Sequence, residues 1–224
     1  ELPVRPQIEP ILRNGEFTHV ILCAAMADLG ECFRDPQRSL RVNLLGPIEL
    51  WEALLSSGCK PIFISSDMAF DCHRDFRRED EEPCPTTVYG HQKVECERAL
   101  RELHPGALIF RPSKIMSFTF HPRNVLAPLV EAARGRALYR AFKDQYITPV
   151  FAEDMARAIV QAMRQELEGV FHLAGPERVS RTELAELVCK AWSSSGEKIE
   201  AVSFRDVPAR EPRGPFHTLC SKKI

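Results

Sequence analysis

Short apolar runs alternate with longer stretches of helical periodicity through the first half of the chain. Residues 17–25 (FTHVILCAA), 61–64 (PIFI) and 107–110 (ALIF) lean toward β structure and stop at small or polar residues, as strands buried on both faces do. Between them run a helical pattern over 38–58 (RSLRVNLLGPIELWEALLSSG), closed by Gly58, and a second helix that carries Tyr89 and Lys93. Strand, helix, strand, helix, strand at this spacing predicts parallel strands joined by crossover helices, hence an α/β architecture.

Past Pro112 the rhythm changes. Helices are predicted over 125–134 and 153–164, strand-like stretches near 147–150, 170–173 and 199–204, and a helix opened by Ser180 with Glu183 three residues on as a capping box. This half is expected to form a smaller lobe against the sheet. The proline-rich stretch 207–215 (VPAREPRGP) reads as an irregular surface segment.

Composition narrows the field of partners. With 44% hydrophobic and 27% charged residues the chain is that of a folded protein, and its 224 residues suffice for one large core or a core plus a lobe. A formal charge of −1 offers no basic face, so neither nucleic acid nor an anionic membrane is expected, and a small molecule is the default partner. No apolar run is long enough to span a bilayer, and ELPVRPQIEP lacks the layout of a signal peptide, which points to the cytoplasm. The eight cysteines show neither C-x-x-C nor paired zinc spacing, so no metal is expected and the thiols read as reduced, mostly buried small hydrophobes.

In open α/β sheets ligands sit beyond the carboxyl ends of the strands, which directs attention to Ala24 and Ala25, to Ser65, Ser66 and Asp67, and to Pro112 and Ser113. Tyr89 and Lys93, four apart in TVYGHQKVE, share one helix face. A lysine cation about 6 Å from a phenolate, at an effective dielectric near 20, favours the charged form by roughly 3 kcal/mol, or about two pKa units. That predicts a tyrosine acidic enough to relay protons near neutral pH, with Ser66 holding the reacting group in line. Tyr139 and Lys143 have the same spacing but follow Gly135 in a predicted turn and strand, with no strand-end serine upstream. They read as structural.

VILCAA, RVNLLG, FISSDMAFD and TVYGHQKVECE, followed by FRPSKI, KDQYITPVFAEDMARAI and FHLAGPERVSRTELAELV, resemble in order the landmarks of the extended short-chain dehydrogenase/reductase family. The nearest branch is that of dTDP-4-dehydrorhamnose reductase and the regulatory β subunit of methionine adenosyltransferase. The resemblance implies a Rossmann-like parallel sheet with NAD or NADP as cofactor. It divides the chain into a partial dinucleotide-binding domain over 1–115 and a mainly substrate-binding lobe over 116–224. It also implies that Tyr89 moves the proton, that Lys93 binds the nicotinamide ribose and that Ser66 orients the reacting group, with Asp67 beside it on the substrate. Ala24 and Ala25 would line the cofactor, Asn43 would brace its site, and Pro112 and Ser113 would flank the nicotinamide.

Three departures accompany the resemblance. The family's glycine-rich turn is missing, since Gly15, Gly30 and Gly46 are isolated, so the first βαβ unit is expected to be absent and cofactor binding to need a segment upstream of Glu1. Asp71-Cys72 stands where the branch has Asp-Gly, and Met68-Ala69 where it has a tyrosine and a valine, which removes a contact to a rhamnose-type substrate. Two functions remain in view: an NAD(P)-dependent reductase or epimerase of a nucleotide-linked sugar or similar carbonyl compound, or a non-catalytic regulatory subunit of the same fold. The second requires an enzyme partner, whereas the first is compatible with a homodimer.

Overall fold

A computed structural model describes residues 4–117 and 124–223. In chain order the main elements are α1 (Val4–Asn14), β1 (His19–Leu22), α2 (Leu29–Arg34), α3 (Pro36–Leu40), α4 (Gly46–Leu54), β2 (Lys60–Ile64), α5 (Val88–Leu103), β3 (Leu108–Pro112), β4 (Ile115–Met116) and α6 (Leu126–Ala133). They continue with β5 (Tyr139–Phe142), β6 (Tyr146–Ile147), β7 (Val150–Phe151), α7 (Ala152–Arg164), β8 (Gly169–Leu173), β9 (Val179–Ser180), α8 (Arg181–Ala191), β10 (Ile199–Val202) and β11 (Phe216–His217).

The principal sheet is wholly parallel, in the order β1-β2-β3-β8. Side chains alternate across it, and the two faces collect different cores. Phe63 and Ile109 point to one side, with Trp51 and Leu54 of α4, Leu100 of α5 and Ile8 and Leu12 of α1. Ile62 and Phe110 point to the other, with Ile159 and Ala162 of α7 and Phe171 of β8. Helices on both faces are what a parallel sheet with near-continuous apolar strands requires. The α/β, Rossmann-like expectation therefore holds.

Several boundaries differ from the sequence reading. The first strand ends at Leu22, leaving Cys23, Ala24 and Ala25 beyond its carboxyl end. The helix expected over 38–58 is interrupted by a π-helical turn at Arg41–Leu45 before α4, which ends at Leu54. Pro47 has no N–H to donate to the Asn43 carbonyl and its ring crowds that carbonyl, so the backbone widens by one residue there. Helix α1 went unpredicted because Pro6 and Pro10 mask its amphipathic pattern, although Ile8 and Leu12 still seat it on the core.

The second half builds its own core from α6, α8 and β5, with Leu129, Ala141, Leu184 and Val188 at its centre. Short strands frame it: β10 beside β5, β11-β6-β9, and β4 beside β7. Ser180 and Glu183 cap α8 reciprocally, as their spacing predicts. Tyr139 lies in a strand, so its spacing to Lys143 places no pair on one helix face. Strand β8 leaves this half to join the principal sheet in register with β3.

Candidate functional site

Parallel register brings three strand ends together: Leu22 pairs with Phe63, Ile64 with Phe110, and Pro112 with Leu173. Beyond them opens a cavity of about 620 Å³ lined by Cys23, Ala25, Ser66, Asp67, Tyr89 and Lys93, with Pro112, Ser113 and Lys114 from the end of β3. The lobe closes it with Phe142, Gln145, Arg181 and His217. Most of the residues that the sequence nominated therefore meet at one place.

Two do not line it. Ala24 is absent from the lining while Cys23 and Ala25 on either side contribute, the alternation of an extended backbone. Asn43 is buried behind the site: its Oδ1 accepts from the Met26 amide at 2.9 Å, and its Nδ2 donates to the Met26 carbonyl and to Gln92 Oε1 of α5 at 2.9 Å. It fastens the loop after β1 to the helix that carries Tyr89 and does not itself line the cavity.

The seating of Tyr89 is built locally. Thr87 caps α5, its Oγ1 accepting from the Gly90 amide at 3.1 Å, while the Val88 amide donates to Glu211 at 2.6 Å. Gly90 lets the helix press on the turn after β2: a Cβ there would stand 2.3 Å from the Met68 carbonyl oxygen. On that turn Ser66 Oγ accepts from the Met68 amide and donates to Asp67 Oδ1 at 2.9 Å. Glu211, Arg213 and Gly214 belong to the stretch read as surface; instead that stretch ties down α5 and walls the cavity.

Lys93 is 2% exposed; its ammonium donates to the Ile64 carbonyl at 2.9 Å and sits 4.5 Å over the Phe63 ring and 5.7 Å from the Tyr89 ring centre. Burial lowers its pKa to about 8. The same burial, reinforced by the Asp67 carboxylate and the Cys32 thiol, pushes the Tyr89 phenol well above its ordinary value, with the Ser66 hydroxyl pulling weakly the other way. This corrects the expectation of a phenol made acidic by the lysine: removal from water outweighs a cation that is itself destabilised by burial. Burial also works against the Asp67 carboxylate, but His217, whose Nδ1 lies 3.6 Å away, together with Ser66 and Lys114, outweighs it and keeps that pKa low.

Cys72 takes a left-handed backbone, φ +59°, which explains why glycine suits this position in the resembling branch. Its carbonyl accepts from the Phe216 amide, and its Sγ lies 3.4 Å from His217 Nδ1. Burial, followed by Asp67, raises the thiol pKa, so it is no nucleophile. Lys114, Arg181, Arg213 and His217 were missed. Lys114, adjoining Ser113, could have been found by extending the strand-end rule one residue; the others come from distant segments.

Fold and site define a Rossmann-like protein with a tyrosine and a lysine at the carboxyl ends of its strands. Residues 4–224 match the family described as the RmlD substrate binding domain. The chain belongs to that family, and its likeness to the dTDP-4-dehydrorhamnose reductase branch is borne out. The probable low-salt glycan biosynthesis reductase Agl14 of Haloferax volcanii is 30% identical over 92% of this chain and 71% of its own length. Methionine adenosyltransferase 2 subunit beta of Xenopus tropicalis is 24% identical over 91% of this chain and 64% of its own. The dTDP-4-dehydrorhamnose reductase of Bacillus anthracis, solved in complex with NADP, superposes with a TM-score of 0.92 at 20% identity, covering 100% of this chain and 79% of that one.

Proposed function

We propose that the chain forms the reacting end of an NADP- or NAD-dependent reductase of a nucleotide-linked sugar or similar carbonyl compound, working in the cytoplasm. The observation that carries this reading is Tyr89 and Lys93, both buried, facing one cavity with Ser66 at the tips of three parallel strands. The relatives named as reductases support it. The eight free cysteines fit a reducing compartment.

The residues present fit the nicotinamide end of a dinucleotide. Lys93 has three N–H donors and, among the described residues, the Ile64 carbonyl as its protein acceptor, which leaves donors for ribose hydroxyls. Ala25, Pro112 and Ser113 would flank the ring. When bound, the nicotinamide supplies a hydride to the carbonyl carbon. Tyr89, held neutral by burial, supplies the proton that the carbonyl oxygen takes up. Ser66 exchanges its Asp67 acceptor for that oxygen and orients it, and the Lys93 cation steadies the negative charge that develops beside the phenol.

A Tyr89→Phe variant of the intact protein should lose about 10²- to 10⁴-fold in turnover while keeping cofactor affinity. Full turnover with its true substrate would end the proposal. The regulatory reading has two specific supports, the likeness to the β subunit and the Cys72 substitution in the loop after Phe70. Copurification of a stoichiometric enzyme, with no cofactor oxidation across a sugar-nucleotide panel, would favour it instead.

A further inference from the structure

The cavity is charged out of balance. Lys93, Lys114, Arg181 and Arg213 line it, with His217, against Asp67 as the one carboxylate among the described lining residues. Elsewhere in this fold a buried cation has anionic partners: Arg111 pairs with Glu97, and Arg77 with Asp71 and Glu81. Lys114 and Arg181 are different. Both are half-buried, and neither side chain has a hydrogen-bond or ion-pair partner among the described residues.

They come from separate elements, Lys114 from just past the end of β3 and Arg181 from the first turn of α8, so the sheet and the lobe each contribute one cation to the same cavity. Burial lowers the pKa of both, and Arg181 lowers that of Lys114 further, while Asp67 offsets this in part. Two like charges kept together away from water, without carboxylates of their own, are costly to the free protein and are relieved by an anion placed between them.

We propose that Lys114 and Arg181 form a subsite for an oxyanion group of the substrate, a phosphate or a carboxylate. Arg213, whose guanidinium lies 5.8 Å from the Phe142 ring, adds a further cation to the lining of the cavity. A nucleotide-linked sugar offers such a group in its diphosphate, and an acidic sugar offers one on its ring. The assignment rests on the reductase reading only in taking this cavity as the substrate site.

Calorimetric titration of the whole protein with inorganic pyrophosphate and, separately, with glucuronate distinguishes the two sources, with glucose as the neutral control. One or both anions should bind and glucose should not; binding by pyrophosphate alone assigns a phosphate, and by glucuronate alone a carboxylate. Lys114→Met and Arg181→Met should each weaken binding by about thirtyfold, and Lys114→Arg should largely restore it. Both methionine variants should also unfold at or above the wild-type temperature, because each removes an unpaired cation; a cation with a structural role would lower it. Tyr89→Phe should bind the anion unchanged, so a failure of the reductase reading leaves this result intact. If neither anion binds, or if both methionine variants bind as wild type, the subsite does not exist.

Discussion

The Lys93 ammonium donates to the Ile64 carbonyl at 2.9 Å while standing 5.7 Å from the centre of the Tyr89 ring, so one cation serves a strand end and a phenol together. Its charge is sensitive to pH because both neighbours lie out of water. Tyr89 is shifted the opposite way and keeps its proton over the whole neutral range.

The pH profile of the reaction follows from these two directions. With Lys93 at about 8, the charged fraction of the free protein falls as pH rises through that value. kcat/KM for reduction should therefore decline above pH 8, with no Tyr89 limb below pH 10. Lys93→Met should lack the limb and lie about 10²-fold lower. A level wild-type profile from pH 7 to 10 would contradict the assignment.

Gly90 sets how closely α5 approaches the Ser66 turn. In Gly90→Ala the new methyl meets the Met68 carbonyl oxygen at 2.3 Å, and backbone cannot yield as a side chain can. The helix start must move, taking Tyr89 with it. The expected loss is about 1–3 kcal/mol in a denaturant titration, accompanied by a fall in kcat larger than any rise in KM.

Beneath the site, Arg111 donates to Glu97 through Nε at 3.0 Å and Nη2 at 2.6 Å, and Ser65 donates to the same carboxylate. Both charged side chains are at most 2% exposed. Glu97→Gln leaves a guanidinium buried without its countercharge and should cost about 3–5 kcal/mol, a fall of about 10 °C in Tm. Replacing both partners, Glu97→Leu with Arg111→Met, should cost less than the single change. Equal Tm values for wild type and Glu97→Gln would refute the argument.

The sheet and the pairing of Tyr89 with Lys93 are legible because local signals carry them: apolar runs with polar ends, and a four-residue spacing on one helix. Ser66, Asp67, Pro112 and Ser113 follow from the same rule of strand ends. What could not be read depends on contacts distant in sequence. Glu211 reaches Val88 and His217 reaches Asp67 only after the chain has returned from the lobe, and nothing in VPAREPRGP announces that return. The phenol's shift was misjudged for a related reason, since spacing supplies the distance to a cation but not the depth of burial.

His172 extends the same reasoning to stability. It is fully buried on β8, its Nδ1 lies 3.1 Å from the Arg77 carbonyl and 3.2 Å from the Cys220 carbonyl, and its ring meets Phe70 edge-on at 5.8 Å. Carbonyls only accept, so Nδ1 carries the proton of a neutral ring. Burial lowers its pKa, Glu79 opposes the shift, and Arg111 adds to it. In the unfolded chain the imidazole takes up a proton near pH 6.5, whereas in the folded protein it resists doing so. Its contribution to stability is therefore complete above pH 6.5 and is lost as pH falls below that value, by up to about 1.4 kcal/mol per pH unit. His172→Asn keeps a donor for the carbonyls and removes the titration. Its stability deficit relative to wild type should shrink between pH 7 and pH 5, as followed by urea unfolding midpoints; a deficit that stays constant across that range would show that His172 does not titrate on unfolding.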